Sequence, residues 1–394
     1  MDEPTKRTPY SWKQSKREMR KFLFIAVNDG ISWGGSEVLW SAAAEKLARK
    51  GHDVRISTKD WGKPVPQIEQ LRSAGCQIFH RRPPSFISRQ ARKILPLREY
   101  ASTHIRSIAQ DVDLVFISQG ANADGLAWME TVQAAGLTYA LVAHGAAEQW
   151  WPTDDVAERL AKAYSGAIRA YFVSQANVSL SRRQFASPLL NAQVVQNPFN
   201  VPYDTNPPWP GDPASELLLA CVARLDTGHK GQDILLEVLS LPRWRERNVR
   251  LSFVGTGVNE RGLRHYAEQL GLKNVVFAGH ASNIEEVWSK YHAMVLTSRY
   301  EGMPLALVEA MLCGRAPIVT DVASHAELVR DGLNGFLAKA PTIPFVDEAL
   351  NRAWDARANL REMGKVAARD IRKWVSRDPA EDFANQLEGL VHGN

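Results

Sequence analysis

Short apolar runs alternate along the chain with longer stretches whose apolar positions recur every three or four residues. Residues 22–27 are continuously apolar, as a strand buried on both faces would be. Residues 36–50 then show helical spacing closed by Gly51, and a second strand opens at Val54. Further strand-like runs fall near 114–118, 139–143 and 170–174. The stretch 199-FNVPYDTNPPWPGDP-213 holds five prolines and reads as a linker. Beyond it the rhythm restarts, with runs at 217–223, 250–254, 275–278, 294–297 and 318–320. Strand–helix–strand alternation predicts parallel sheets. The fold class is therefore α/β, as two halves with a cleft between them. The organisation read from the pattern is a polar tail over 1–20, a first domain over 21–198, the linker 199–213, a second domain over 214–370 and a closing segment over 371–394.

Composition narrows the class. With 394 residues, 45% of them hydrophobic and 23% charged, the chain has enough material for two cores. No run approaches the eighteen or so apolar residues of a membrane helix, and 1–20 lacks the apolar centre of a signal peptide. Cys76, Cys221 and Cys313 are few and far apart, which predicts reduced core residues and a cytoplasmic setting. The net charge of +5 is unevenly spread: residues 1–200 hold 26 Lys+Arg against 18 Asp+Glu, and 201–394 hold 22 against 25. A basic first half points to an anionic partner. Aromatic residues do not interleave with those charges as base stacking requires, so nucleic acid is not expected.

Four patches sit where a strand would end, at the edge where open α/β sheets bind ligands. In 298-SRYEGMPLALVEAMLCGRAPIVT-320, a loop carrying Glu301 leads into a helix. Pro304 suits its first position, Glu309 lies in its second turn, and Gly314 can end it. The helix start suits a phosphate. A carboxylate repels one, so Glu301 and Glu309 are better placed to accept bonds from sugar hydroxyls. In 222-VARLDTGHKGQDILLE-237, Arg224 leaves a strand end and Lys230 follows after a loop; two cations there could clamp a diphosphate, or be an ordinary solvated loop. Gly34 and Gly35, between a strand and a helix, allow close approach of an anion. His144, before Gly145, ends another strand, although a lone histidine is more often structural.

Together these patches resemble glycosyltransferase family 4, over about residues 21–383. Gly34-Gly35-Ser36-Glu37 is similar to the family's first-loop motif. Arg224 with Lys230-Gly231 resembles its diphosphate clamp, and Glu301 through Glu309 resembles its E-x7-E motif. The resemblance implies the GT-B fold: two Rossmann-like parallel-sheet domains, with a last helix crossing back to the first. It implies a retaining glycosyltransferase that uses a nucleoside-diphosphate sugar. In it Glu309 takes the ribose, and Glu301 and His144 take the transferred sugar. Arg224, Lys230, Gly35 and the backbone of Gly302, Met303, Pro304 and Leu305 take the diphosphate. The acceptor would be a glycan or lipid-linked glycan of a surface polysaccharide. Two other readings share the motifs: a nucleotide-sugar 2-epimerase of the same fold, and a non-catalytic nucleotide-sugar-binding protein.

The acceptor side is less marked. Arg89, Arg92 and Lys93 lie opposite an apolar helical stripe within 81–98, which reads equally as a basic surface helix or as a contact for a lipid-linked acceptor or for anionic lipid on the inner face of the membrane. Trp150 and Trp151 could stack on an acceptor sugar, or one of them could pack. Asp111-Val112-Asp113 has the spacing of a metal-binding D-x-D, but it precedes its strand and so lies at the opposite edge of the sheet. No metal and no other cofactor is expected. Chelation with EDTA should accordingly leave turnover unchanged, whereas inhibition that Mg²⁺ reverses would show that a metal is needed.

Overall fold

The structure is a computed structural model describing residues 18–28, 30, 32–81 and 97–392. Most of the basic tail, and Arg89, Arg92 and Lys93 of the basic segment, lie outside the described residues.

Thirteen strands form two sheets among these residues. The first contains β1 (Lys21–Ala26), β2 (Asp53–Lys59), β3 (Gln77–Arg81), β4 (Leu114–Ala121), β5 (Tyr139–Gly145), β6 (Arg169–Phe172) and β7 (Ala192–Val194). The second contains β8 (Leu217–Val222), β9 (Val249–Val254), β10 (Val275–Gly279), β11 (Ala293–Leu296), β12 (Ala316–Thr320) and β13 (Phe336–Ala338). The strand orders are β3-β2-β1-β4-β5-β6-β7 and β10-β9-β8-β11-β12-β13, parallel throughout. Alternate residues of β1 show why its run is unbroken: Phe22 and Phe24 join one apolar core, Leu23 and Ile25 another. A sheet covered on both faces leaves no polar side to its central strands.

Three strands, β3, β7 and β13, have no counterpart among the apolar runs. All three lie at sheet edges. They are short, and β3 and β7 are only partly buried. An edge strand carries less apolar burial, so its pattern is faint.

Strand order reverses between β1 and β4 in the first sheet and between β8 and β11 in the second. The loops leaving neighbouring strands at such a point part to opposite faces and open a crevice. Gly34-Gly35 follows β1, Arg224–Lys230 follows β8, and Glu301–Pro304 follows β11. The chirality of the crossovers thus delivers the motif residues to two crevices.

Two details differ from the sequence reading. Pro304 is the N-cap of the helix Leu305–Leu312 rather than its first residue, because its ψ of 118° is still extended. The Arg224–Lys230 connection is not all loop, since Thr227–Lys230 makes one helical turn.

After the helix Leu360–Trp374 packs on the second lobe, the chain returns and the helix Pro379–His392 lies against the helix Gly35–Arg49 of the first. Phe383 is fully buried, with its ring 5.3 Å from that of Phe116 and 5.1 Å from that of Tyr171. Lys46 meets Asp378 at 2.7 Å, and His52 meets Glu388 at 2.7 Å. Emptying the aromatic socket should be costly: Phe383→Ala is expected to lower stability by about 3–5 kcal/mol, read from urea denaturation. A change below about 1 kcal/mol would mean that the last helix is not part of the cooperative unit.

Candidate active site

In the second lobe two strand-end loops are zipped together. Gly231 has a φ of +64°, and a Cβ there would lie 2.1 Å from the Thr297 carbonyl oxygen, so only glycine lets the 227–231 turn press against the end of β11. The Arg299 amide donates to the His229 carbonyl (2.8 Å), and its guanidinium grips Asp233 through two bonds of 2.8 and 2.7 Å. Tyr300 stacks on His229, with centroids 4.2 Å apart and planes 3° from parallel.

The zipper brings Lys230 Nζ to 2.5 Å from Glu301 Oε1, which also accepts from Ser298 Oγ at 2.6 Å. Glu301 is 4% exposed. Burial opposes its charge, but the Lys230 ammonium, with His229 3.4 Å away and His325 nearby, outweighs that and holds the carboxyl well below its usual range. His325 is itself pushed down by burial. Arg224 is half-exposed at the rim, 3.9 Å from Asp226.

Gly302, Met303 and Pro304 are buried, and the helix Leu305–Leu312 behind them has no side-chain cap. The Leu307 amide donates to the Pro304 carbonyl (3.1 Å), and the amides of Leu305 and Ala306 ahead of it are those a ligand can reach. Glu309, one turn further, is 3% exposed, and Oε1 accepts from both the backbone N–H and the side-chain amide of Asn200. Burial pushes its pKa up, and those bonds oppose the rise.

The first lobe presents a second uncapped helix start. Gly34 is extended and the helix Gly35–Arg49 begins without a side-chain cap. Glu37 in its first turn is buried and held by Ser36 Oγ (2.7 Å) and Asn28 Nδ2 (3.2 Å); burial pushes its carboxyl up. His144 ends β5. Both its ring nitrogens are shut off from solvent, and neither finds a hydrogen-bond partner among the described residues. Burial pushes its pKa down to about 4, so the ring is neutral near pH 7.

The lobes meet at these points. A Cβ on Gly302 would lie 1.8 Å from the His144 carbonyl oxygen, and one on Gly35 would lie 4.0 Å from Leu305 Cδ1. Glu327 of the second lobe accepts from the amides of Ala176 (2.8 Å) and Gln175 (3.3 Å) in the first. Gly34, Gly35, His144, Lys230, Glu301 and the 302–305 backbone thus share one region, with Arg224 on its edge. Trp150 and Trp151 lie in the loop beyond β5 and are 38% and 57% exposed, so neither packs as a core residue. Among the described residues no cluster of three or more His, Cys, Asp or Glu could hold a metal, and Asp113 accepts from the Lys21 amide at the far edge of the sheet.

Sequence reasoning passed over Asn200, His229, Ser298 and His325. His229 had a signal, since it adjoins Lys230 in the clamp motif. Asn200 had none, because it reaches Glu309 only through the crossing of the linker.

The Glycosyltransferase Family 4 model matches residues 33–201, and the Glycosyl transferases group 1 model matches residues 205–370. The chain belongs to glycosyltransferase family 4. Solved structures agree on the GT-B fold of this family 4 chain. The Anabaena protein HepE in complex with UDP is 18% identical, with 94% of this chain and 100% of that one covered and a TM-score of 0.72. Sucrose-phosphate synthase of Thermosynechococcus elongatus is 18% identical, with 95% and 100% covered and a TM-score of 0.75. Among curated relatives, the Vi polysaccharide biosynthesis protein VipC/TviE of Salmonella typhi is 32% identical over 26% of this chain and 18% of its own length. The chain spans less than half the length of the curated relatives it matches.

Gly302 offers a direct probe of the meeting of the lobes. Gly302→Ala should drive them apart at His144, and a displacement of about 1 Å can cost on the order of a hundredfold in turnover. Unchanged turnover would show that this contact does not set the working geometry.

Proposed function

We propose that this chain is a retaining, metal-independent glycosyltransferase that moves a sugar from a nucleoside-diphosphate sugar to a glycan or lipid-linked acceptor in surface-polysaccharide synthesis. The observation that carries the reading is the meeting of two uncapped helix starts, at Gly35 and Leu305, beside the buried Lys230–Glu301 pair. Helix starts whose N-cap residue supplies no side-chain acceptor favour an anion. Lys230 spends one N–H on Glu301 and keeps two for phosphate oxygens.

In this mechanism the sugar–phosphate bond breaks with positive charge growing on the sugar and negative charge on the diphosphate. The helix ends, Arg224 and Lys230 stabilise the departing diphosphate. Glu301, kept ionised, accepts bonds from hydroxyls of the transferred sugar, and neutral His144 offers a ring nitrogen to the same sugar. The acceptor hydroxyl attacks from the face the phosphate leaves. The bond from its oxygen to the anomeric carbon forms as the phosphate bond breaks, and the hydroxyl proton passes to the leaving phosphate, so configuration is kept. Glu309 holds the ribose.

UDP is the favoured first probe, because HepE was solved with UDP and with UDP-glucose. A polysaccharide acceptor is supported by the Salmonella typhi relative and by the Staphylococcus aureus poly(ribitol-phosphate) alpha-N-acetylglucosaminyltransferase, 27% identical over 35% of this chain and 29% of its own length. No helix of the described residues is long and apolar enough to cross a membrane. We place the protein in the cytoplasm, with peripheral contact at the inner face of the membrane as the working arrangement.

Arg224 is a cleaner probe than Lys230, since truncating Lys230 strands a buried carboxylate at a cost of about 3 kcal/mol or more. Arg224→Ala should lower sugar transfer by about a hundredfold with the melting temperature unchanged. Transfer near the wild-type rate would remove the clamp from the mechanism.

A further inference from the structure

Glu309 has an unusual setting for a carboxylate. It sits in the second turn of a helix whose other inner positions are apolar, and it is 3% exposed. It has no salt bridge among the described residues. What stabilises its charge comes from one residue outside the lobe: Asn200 donates its backbone N–H (2.9 Å) and its Nδ2 (2.8 Å) to the same oxygen, Oε1. An amide facing a carboxylate presents its NH₂, because its own oxygen would be repelled. Two donors on one oxygen fix the plane of the carboxylate and leave Oε2 without a partner among the described residues.

Asn200 lies in the Pro-rich crossing between the lobes, at the end of the stretch matched by the first family model and before the second begins. It belongs to neither sheet and lies in the long connection from β7 to β8. Its side chain could have faced solvent, as linker asparagines usually do. Instead it spends its only two N–H-bearing groups on Glu309.

We infer that Asn200 is a positioning residue for the donor: it locks one carboxylate oxygen of Glu309 and turns the other toward the ribose hydroxyls. The inference rests on the reading that Glu309 takes the ribose. It adds that the interlobe crossing, and not only the second lobe, sets recognition of the sugar of the nucleoside.

The test is a ligand-based cycle on the full chain by isothermal titration. UDP is compared with 2′,3′-dideoxy-UDP, with GDP and ADP pairs run alongside so that the nucleoside the wild type binds is the one used. The wild type should bind the ribose form about tenfold or more tightly, since a hydrogen bond to a charged group is at stake. Asn200→Ala should lose about tenfold in affinity for the ribose form and nothing for the dideoxy form, so that discrimination collapses toward unity. Asn200→Asp, of equal size but with its charge set against Glu309, should lose the same discrimination and serves if the alanine variant melts low. Glu309→Gln is the control for the ribose role.

An equal loss for both ligands would make Asn200 merely structural, and no loss for either would make the contact idle. Each of these overturns the inference while leaving the role of Glu309 intact. Equal binding of both ligands by the wild type would instead remove the ribose role of Glu309, and the inference with it.

Discussion

A carboxylate that is 4% exposed cannot hold a charge without a partner, and Glu301 has one in Lys230 at 2.5 Å. Much of the second lobe's ligand edge is arranged around that pair. Gly231 lets the lysine's turn approach β11 where a Cβ would collide. Arg299 clamps the glutamate's loop to Asp233, and Tyr300 lies flat on His229. These contacts give a loop between two strands the rigidity of the sheet below it. A site that must stabilise charge as it develops gains from groups that need not reorganise.

The second constraint is closeness between lobes. One contiguous apolar core includes Phe24 and Phe116 of the first lobe and Leu307 and Val308 of the second, with Phe383 of the last helix among them. At the crevice the backbones touch where Gly302 meets the His144 carbonyl. Bulk is provided far from the site and reduced at it, where Gly302 lies against the His144 carbonyl and Gly35 faces Leu305. The neutral imidazole of His144 sits at that meeting point, and among the described residues its hydrogen-bonding capacity is left unspent.

Local pattern carried a great deal. The central strands read as apolar runs because both faces are covered, and Gly314 ends its helix with a φ of +70° as its position suggested. The motif residues fell at strand ends because strand, turn and helix signals are written within a few positions of each other. Edge strands β3 and β7 escaped because partial burial thins the apolar pattern, and β13 because it is three residues long. Trp150 and Trp151 could not be sorted into packed or exposed from their neighbours, since that depends on what lies across from the loop; both are exposed.

The order of residues thus determined the α/β class, the two-lobe division and the candidate groups, all of which follow from periodicities and spacings shorter than a helix. Tertiary structure alone decided which groups meet. Lys230 and Glu301 are 71 positions apart, Asn200 and Glu309 are 109 apart, and His144 and Gly302 belong to different lobes. Such pairings arise when sheets twist, crossovers take one hand and two cores dock. Nothing within a residue's neighbours along the chain encodes the side chain it will face after that docking, and docking sets the charge preferences of Glu301, His144 and Glu309 through the burial and the partners it brings.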